Sequence, residues 1–158
     1  MNNARWCEGM LDDIAGKVEP IDGNFEPCDE ADIIEVEKVI GFGLPASYAI
    51  FLGRFGRCGF SGEATIESSA NVPPQGIFTI FGCKGSAGNM LQDRAIHPEY
   101  ISMRLLPIAD DNFNNRYVLD GNTGEIYFID YSHRSGAMDK VADSFDQFLG
   151  RLKVVPWS

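Results

Sequence analysis

The sequence predicts an α+β domain in which N-terminal helices pack on a mostly antiparallel sheet, with a closing C-terminal helix. Three observations carry this expectation. Apolar residues recur at helical spacing early in the chain, at Ile33, Val36 and Ile40, then at Tyr48, Phe51, Leu52 and Phe55. The last third holds short apolar runs divided by turn residues: Leu105 to Ala109, Tyr117 to Asp120, and Glu125 to Asp130. A final helical stripe of Phe145, Phe148, Leu149 and Leu152 follows Ser144, a good N-cap. At 158 residues the chain reads as one domain over 1–158, long enough to close a core without staples.

Taken in order, residues 8–18 predict a short helix with Met10, Leu11, Ile14 and Val18 facing inward. Pro20, Asp22-Gly23 and Pro27 break structure and mark a loop. Asp29 can then cap the next helix, which Gly41 ends. Pro45 suits the first turn of a third helix, where a missing N–H costs nothing. Tyr48 belongs to that helix's buried stripe. Glu37 lies four residues after Ile33 and three before Ile40, so its carboxylate falls on or beside the buried face. A carboxylate there needs a hydrogen bond, and the N–H groups near Ala46 to Tyr48 are the expected donors. A side chain that bends to solvent is the alternative.

The middle of the chain is rich in glycine. Gly53, Gly56, Gly59 and Gly62 follow a helix and precede the strand-like Glu63 to Ile66, the wrong order for a phosphate cradle. Val72 to Gly76 reads as loop, Ile77 to Phe81 as strand, and Asn89 to Arg94 as a short helix. Gly121-Asn122-Thr123-Gly124 supplies the reversal of a hairpin. Tyr131 to Lys140 reads as a surface loop. Ser144 with Gln147 three residues on forms a capping box, and Phe145 and Phe148 begin the buried face behind it.

Charge narrows the function classes. The net charge is −10, and eleven acids fall within the first 37 residues against Arg5 and Lys17. Phosphate contacts need clustered Lys and Arg, so direct nucleic-acid binding is disfavoured, as is an anionic lipid surface. Acidity of this kind often serves solubility alone; it also suits a basic protein partner. No apolar run approaches the ~20 residues that cross a bilayer, and no secretory signal is expected at the N-terminus. Cys7, Cys28, Cys58 and Cys83 lie 21, 30 and 25 residues apart, without a C-x-x-C pair. They read as reduced thiols in a cytoplasmic protein, with no metal implied.

No catalytic, cofactor-binding or metal-ligating set emerges. His97 and His133 are far apart, and no nucleophile elbow, H-E-x-x-H pair or Walker lysine is present. Asp110-Asp111 and Asp130 could pair as carboxylates for a metal or an acid–base step. The plainer reading is that they accept backbone N–H bonds at loop ends. Trp6 and Trp157, near the termini, could serve as partner contacts, but they are expected first to pack the chain ends onto the body.

Several segments in order carry a resemblance. They are Ile33-Ile34-Glu35-Val36-Glu37-Lys38-Val39-Ile40-Gly41, Leu44-Pro45-Ala46-Ser47-Tyr48 with Phe51-Leu52, Leu106-Pro107-Ile108-Ala109-Asp110, Gly124-Glu125-Ile126-Tyr127-Phe128, and Ala142 to Leu149. Together, across 29–152, they resemble the SUKH superfamily, which includes fungal cell-wall-synthesis regulators and bacterial immunity proteins that neutralise polymorphic toxins. Residues 1–28 would then be an N-terminal helix and loop extension. The family's frequent Asn-Gly-Gly is here Gly53-Arg54-Phe55-Gly56-Arg57, and its glycine-rich loop after the Ile-Ala-Asp strand is Asp111 to Asn115. The resemblance implies a non-enzymatic binding protein whose partner is a cognate toxin, basic if the charge is used. A regulatory scaffold that recruits other proteins is the alternative. The expected contact residues are Asp110, Asp111, Asn112, Asn114, Asn115, Tyr117, Tyr127, Asp130, Tyr131, His133 and Arg134, where polar and aromatic groups can stand at a sheet edge.

Overall fold

Caps and apolar stripes agree through the helical part of the chain. The computed structural model describes residues 3–67, 73–132 and 137–157, and for 3–8 the backbone alone. Helix α1 (Asn3–Ala15) buries Leu11 and Ile14. It ends sooner than its apolar spacing suggests. Val18, expected on the helix, lies in β1 (Val18–Glu19) opposite Phe60 of β2 (Gly59–Phe60). Helix α2 (Glu30–Ile40) begins at a reciprocal cap: the Asp29 carboxylate accepts the Asp32 N–H, and the Asp32 carboxylate accepts the Asp29 N–H. Gly41 closes it at φ 81°, the left-handed conformation glycine adopts most readily.

Helix α3 (Ala46–Arg54) has Pro45 at its N-cap, one position before the expected first turn. Tyr48, Phe51, Leu52 and Phe55 are buried as the spacing requires. Tyr48 donates its hydroxyl to the Phe81 carbonyl at 2.9 Å, and its ring lies 4.6 Å from that of Phe145. Each of these fully buried rings is worth about 1.5–3 kcal/mol of transfer free energy.

Two antiparallel sheets carry the rest. The larger has the order β5 (Thr79–Ile80), β6 (Leu105–Asp110), β7 (Arg116–Asp120), β8 (Ile126–Ile129), β9 (Met138–Ala142). The smaller has the order β10 (Leu152–Pro156), β3 (Gly62–Ile66), β4 (Gln75–Gly76). The stretch from Gln75 to Ile80 joins them: Ile77 donates its N–H to the Ala64 carbonyl, and Phe78 donates to that of Asp110. This dual duty is why only Thr79–Ile80 of the expected Ile77–Phe81 strand is regular strand, while Phe78 and Phe81 add single bonds to β6 on either side. Helix α4 (Met90–Ala95) is capped by Asn89, and α5 (Pro98–Ser102), which the spacing did not predict, follows at once.

The chain does not end on its helix. In α6 (Phe145–Gly150), Ser144 accepts the Gln147 N–H at 3.1 Å, while the Gln147 side chain accepts from Asp143 rather than from Ser144 itself. Phe145 and Phe148 are buried beneath it. Leu152 belongs to β10 and pairs with Ile66. Within the expected surface loop Tyr131 to Lys140, Met138 to Lys140 are strand instead, in β9. Edge position leaves Asp139 and Lys140 solvated, so the apolar alternation that would announce a strand is absent.

A disulfide joins Cys28 to Cys83, which corrects the expectation of reduced thiols at these two positions. The fold, not sequence spacing, brings them together. Cys58 is free and buried, and burial pushes its thiol up to about 12. One core runs from Leu11 to Leu152 through both sheets. No helix among the described residues is long and apolar enough to cross a membrane.

Candidate functional site

Because one short stretch bridges the two sheets, a groove of about 1110 Å³ opens between them. Its floor is Gly76, Ile77, Phe78 and Thr79, with Ala64 and Thr65 of β3 on one side. On the other side stand Asp110 at the end of β6, the turn after it, and Asp130 with Ser132 after β8. Glu19, Ile21 and Trp157 reach the groove from β1, the loop after it, and the residue following β10.

The turn after β6 is built by its acids and amides. The Asp111 carboxylate accepts the N–H groups of Phe113 and Asn115 at 2.9 and 2.8 Å, and the Asn115 side-chain amide at 2.9 Å. Asn115 Oδ1 in turn accepts the Tyr131 N–H at 2.8 Å, tying this turn to the one after β8. Asp130 accepts the Ser132 N–H at 2.9 Å. These carboxylates therefore do the loop-end work expected of them. With its base fixed, the turn drives Phe113 outward until it is 82% exposed.

Behind the turn, Arg116 forks onto Asp93, with Nε and Nη2 at 2.9 and 3.0 Å from the two carboxylate oxygens. Its Nη1 donates to Asn114 Oδ1 at 3.0 Å. Asn114 adopts φ 65°, a left-handed conformation that Asn tolerates better than most residues, and it stays exposed while its Oδ1 accepts that bond. His97 stacks on Tyr100 and Tyr131, whose hydroxyls bond to each other. This polar cluster is a brace. Its arginine is fully forked, and no group of three His, Cys, Asp or Glu among the described residues is placed to hold a metal.

The electrostatics are one-signed. Glu19, Glu63, Asp110, Asp111 and Asp130 line the groove, and among the described residues no Lys, Arg or His does. Burial pushes the Asp110 carboxyl up to about 6, against the pull of Arg116 and the bond from the Thr79 N–H. Phe78 at 56% and Trp157 at 71% exposure add two more rings, so Trp157 does not pack the chain end onto the body as expected.

The groove gathers Asp110, Asp111, Asn112, Asn115 and Asp130 of the expected contact set. Asp111 and Asn115 are buried, so they shape the turn rather than face a partner. Tyr117 is no edge residue: it is fully buried in the central strand, and its hydroxyl donates to the Gly76 carbonyl under the groove floor at 2.8 Å. Tyr127 points to the opposite face of the sheet from its neighbour Phe128, packing with Tyr100, Leu105, Val118 and Ile129. Tyr131 stays half-exposed beside the turn. His133 and Arg134 lie outside the described residues. Sequence reasoning missed Glu19, Glu63 and Phe78 and set Trp157 second to a packing role; the four converge from distant segments. Phe113, an aromatic inside a polar run, was the one local signal available.

With the helices, the Leu-Pro turn and the two sheets placed, comparison with known families decides the membership. A family model described as the SMI1 / KNR4 family (SUKH-1) matches residues 27–151. The chain belongs to this family. No curated protein matches it. The SUKH-1 match runs from α2 through α6 and covers the larger sheet with β3 and β4, but not β10; it includes most of the groove lining, with Glu19, Pro20, Ile21 and Trp157 outside it.

Proposed function

We propose that this SUKH-1 chain is an immunity-type protein that binds and neutralises a cognate toxin domain with a basic surface, such as a nuclease whose substrate-binding face attracts anions. The observation that carries the reading is the groove: five acidic residues, no basic one among the described residues, and three exposed aromatic rings. Complementary fields speed encounter and discourage wrong partners, and exposed rings then hold the complex. It acts by occupancy, without turnover, cofactor or metal, and it binds neither nucleic acid nor membrane directly. Asp110, Asn112, Phe113 and Asp130 are its contact residues, with Asp111, Asn115 and the Arg116–Asp93 fork holding them in position. Cytoplasmic residence belongs to this reading, and the Cys28–Cys83 bond bears on it, since a reducing compartment would hold two thiols there.

The test is protection. Cells expressing the toxin domain encoded beside this gene should survive when the chain is co-expressed and die without it, and the purified pair should form a stable complex. Absence of both protection and complex formation would sink the immunity reading and favour a regulatory scaffold.

A further inference from the structure

We infer that the groove is built for arginine: its occupant is an extended, arginine-bearing segment of the partner protein, each guanidinium laid on an exposed ring with a carboxylate beside it. The inference rests on the immunity reading for the partner's existence, but the chemistry is read from the groove alone. At about 1110 Å³, the groove exceeds the ~300–1,000 Å³ of a small-molecule pocket and suits a stretch of chain.

Two kinds of group line its walls. Glu19 and Glu63 have no ion-pair partner among the described residues, so their charge is available to an incoming cation. Phe78, Phe113 and Trp157 stand exposed among these carboxylates. Ammonium and guanidinium ions both answer the charge and both are drawn to a ring face, but the planar, weakly hydrated guanidinium lies flat on the ring and gains more from it. The chain satisfies its own arginines this way twice. Arg116 lies 5.9 Å from the Phe81 ring centre while forked by Asp93, and Arg54 lies 5.3 Å from that of Phe55 while bonded to Asp12. An apolar segment would leave Glu19 and Glu63 desolvated without a partner, which is costly.

The experiment compares an oligo-arginine peptide with an oligo-lysine of equal length, titrated into the purified chain at physiological salt. Oligo-arginine should bind several-fold more tightly. Phe113→Ala and Trp157→Ala, which change no charge, should each weaken oligo-arginine by about two- to fivefold and oligo-lysine by a smaller factor. Both side chains are exposed, so thermal melts of the variants should match the parent. Glu19→Lys with Glu63→Lys should abolish binding of both peptides, a result that depends on charge and not on the rings. Equal affinity for the two peptides, indifferent to Phe113 and Trp157, would overturn the arginine preference and leave only a diffuse acidic field. Peptide binding that follows this pattern without any protection from toxin would remove the immunity reading and leave the groove assignment standing. Toxin binding that ignores every one of these variants would do the reverse.

Discussion

The Glu37 carboxylate accepts the backbone N–H of Leu44 at 2.6 Å, fastening the end of α2 to the entry of α3. The bond lands two residues before the expected Ala46–Tyr48 donors. Gly41 turns the chain back sharply enough that the Leu44 N–H comes within reach first, and Pro45 behind it has none to offer. Gly43 lies against the same oxygen: a Cβ there would sit 3.3 Å from it. Glu37→Gln keeps an acceptor but loses the charge assistance, so unfolding free energy in urea should fall by about 1–2 kcal/mol, and Glu37→Ala should cost more. A Gln variant indistinguishable from the parent would show that the bond contributes nothing.

The Cys28–Cys83 bond closes a separation of 55 residues. In the chain-entropy account a loop of that size is worth about 4 kcal/mol, as an upper figure. The same two loops are also held by Arg57, which pairs with Asp22 and Glu26 and donates to the Ala87 carbonyl, so they should stay docked when the sulfurs part. Cys28→Ser or added reductant should therefore lower Tm by several degrees while circular dichroism keeps the native signature. An unchanged Tm would mean that the bond is not formed in solution.

What could be read in the sequence was local. Asp29, Gly41 and Ser144 announce helix ends through their own backbone chemistry, and Tyr48, Phe51 and Leu52 need only a helical period to be assigned to the core. The groove could not be read in that way. Tyr117 looked available for contact because an aromatic in a strand has two possible faces, and only its register opposite Phe128 turns it inward. Trp157 and Glu63 lie more than ninety residues apart, and they share a wall because β10 pairs with β3, a long-range contact with no local signature. The disulfide escaped for the same reason.

Asp110 makes the groove sensitive to pH. Its folded pKa, pushed up to about 6 by burial, exceeds the ordinary aspartate value of 3.8, so the folded chain holds this proton more tightly than the unfolded one. Its contribution to stability therefore falls as pH rises from about 4 to 6 and stays at its least favourable above that window. Asp110→Asn retains an oxygen to accept the Thr79 N–H and carries no charge. The variant should be more stable than the parent at pH 7, with the difference shrinking to nothing near pH 4. Chemical denaturation at a series of pH values reads this directly, and an offset independent of pH would contradict it.

Association with the proposed toxin partner should be steered by the groove's own carboxylates and not by the net charge of −10 alone. Raising salt from roughly 50 to 500 mM shortens the screening length about threefold, so the association rate should drop while dissociation, governed by close contacts, changes little. Net charge alone would produce some of this, and the position of the charge separates the two causes. Glu63→Lys in the groove and Glu35→Lys on the exposed side of α2 alter the total identically. If the groove is the docking surface, the first should slow association by a larger factor and flatten its salt dependence, whereas the second should do little beyond the shared change in net charge. Stopped-flow rates for the two variants at low and high salt decide the matter: equal slowing would assign the acidity to a diffuse field, and no slowing in either would leave it to solubility.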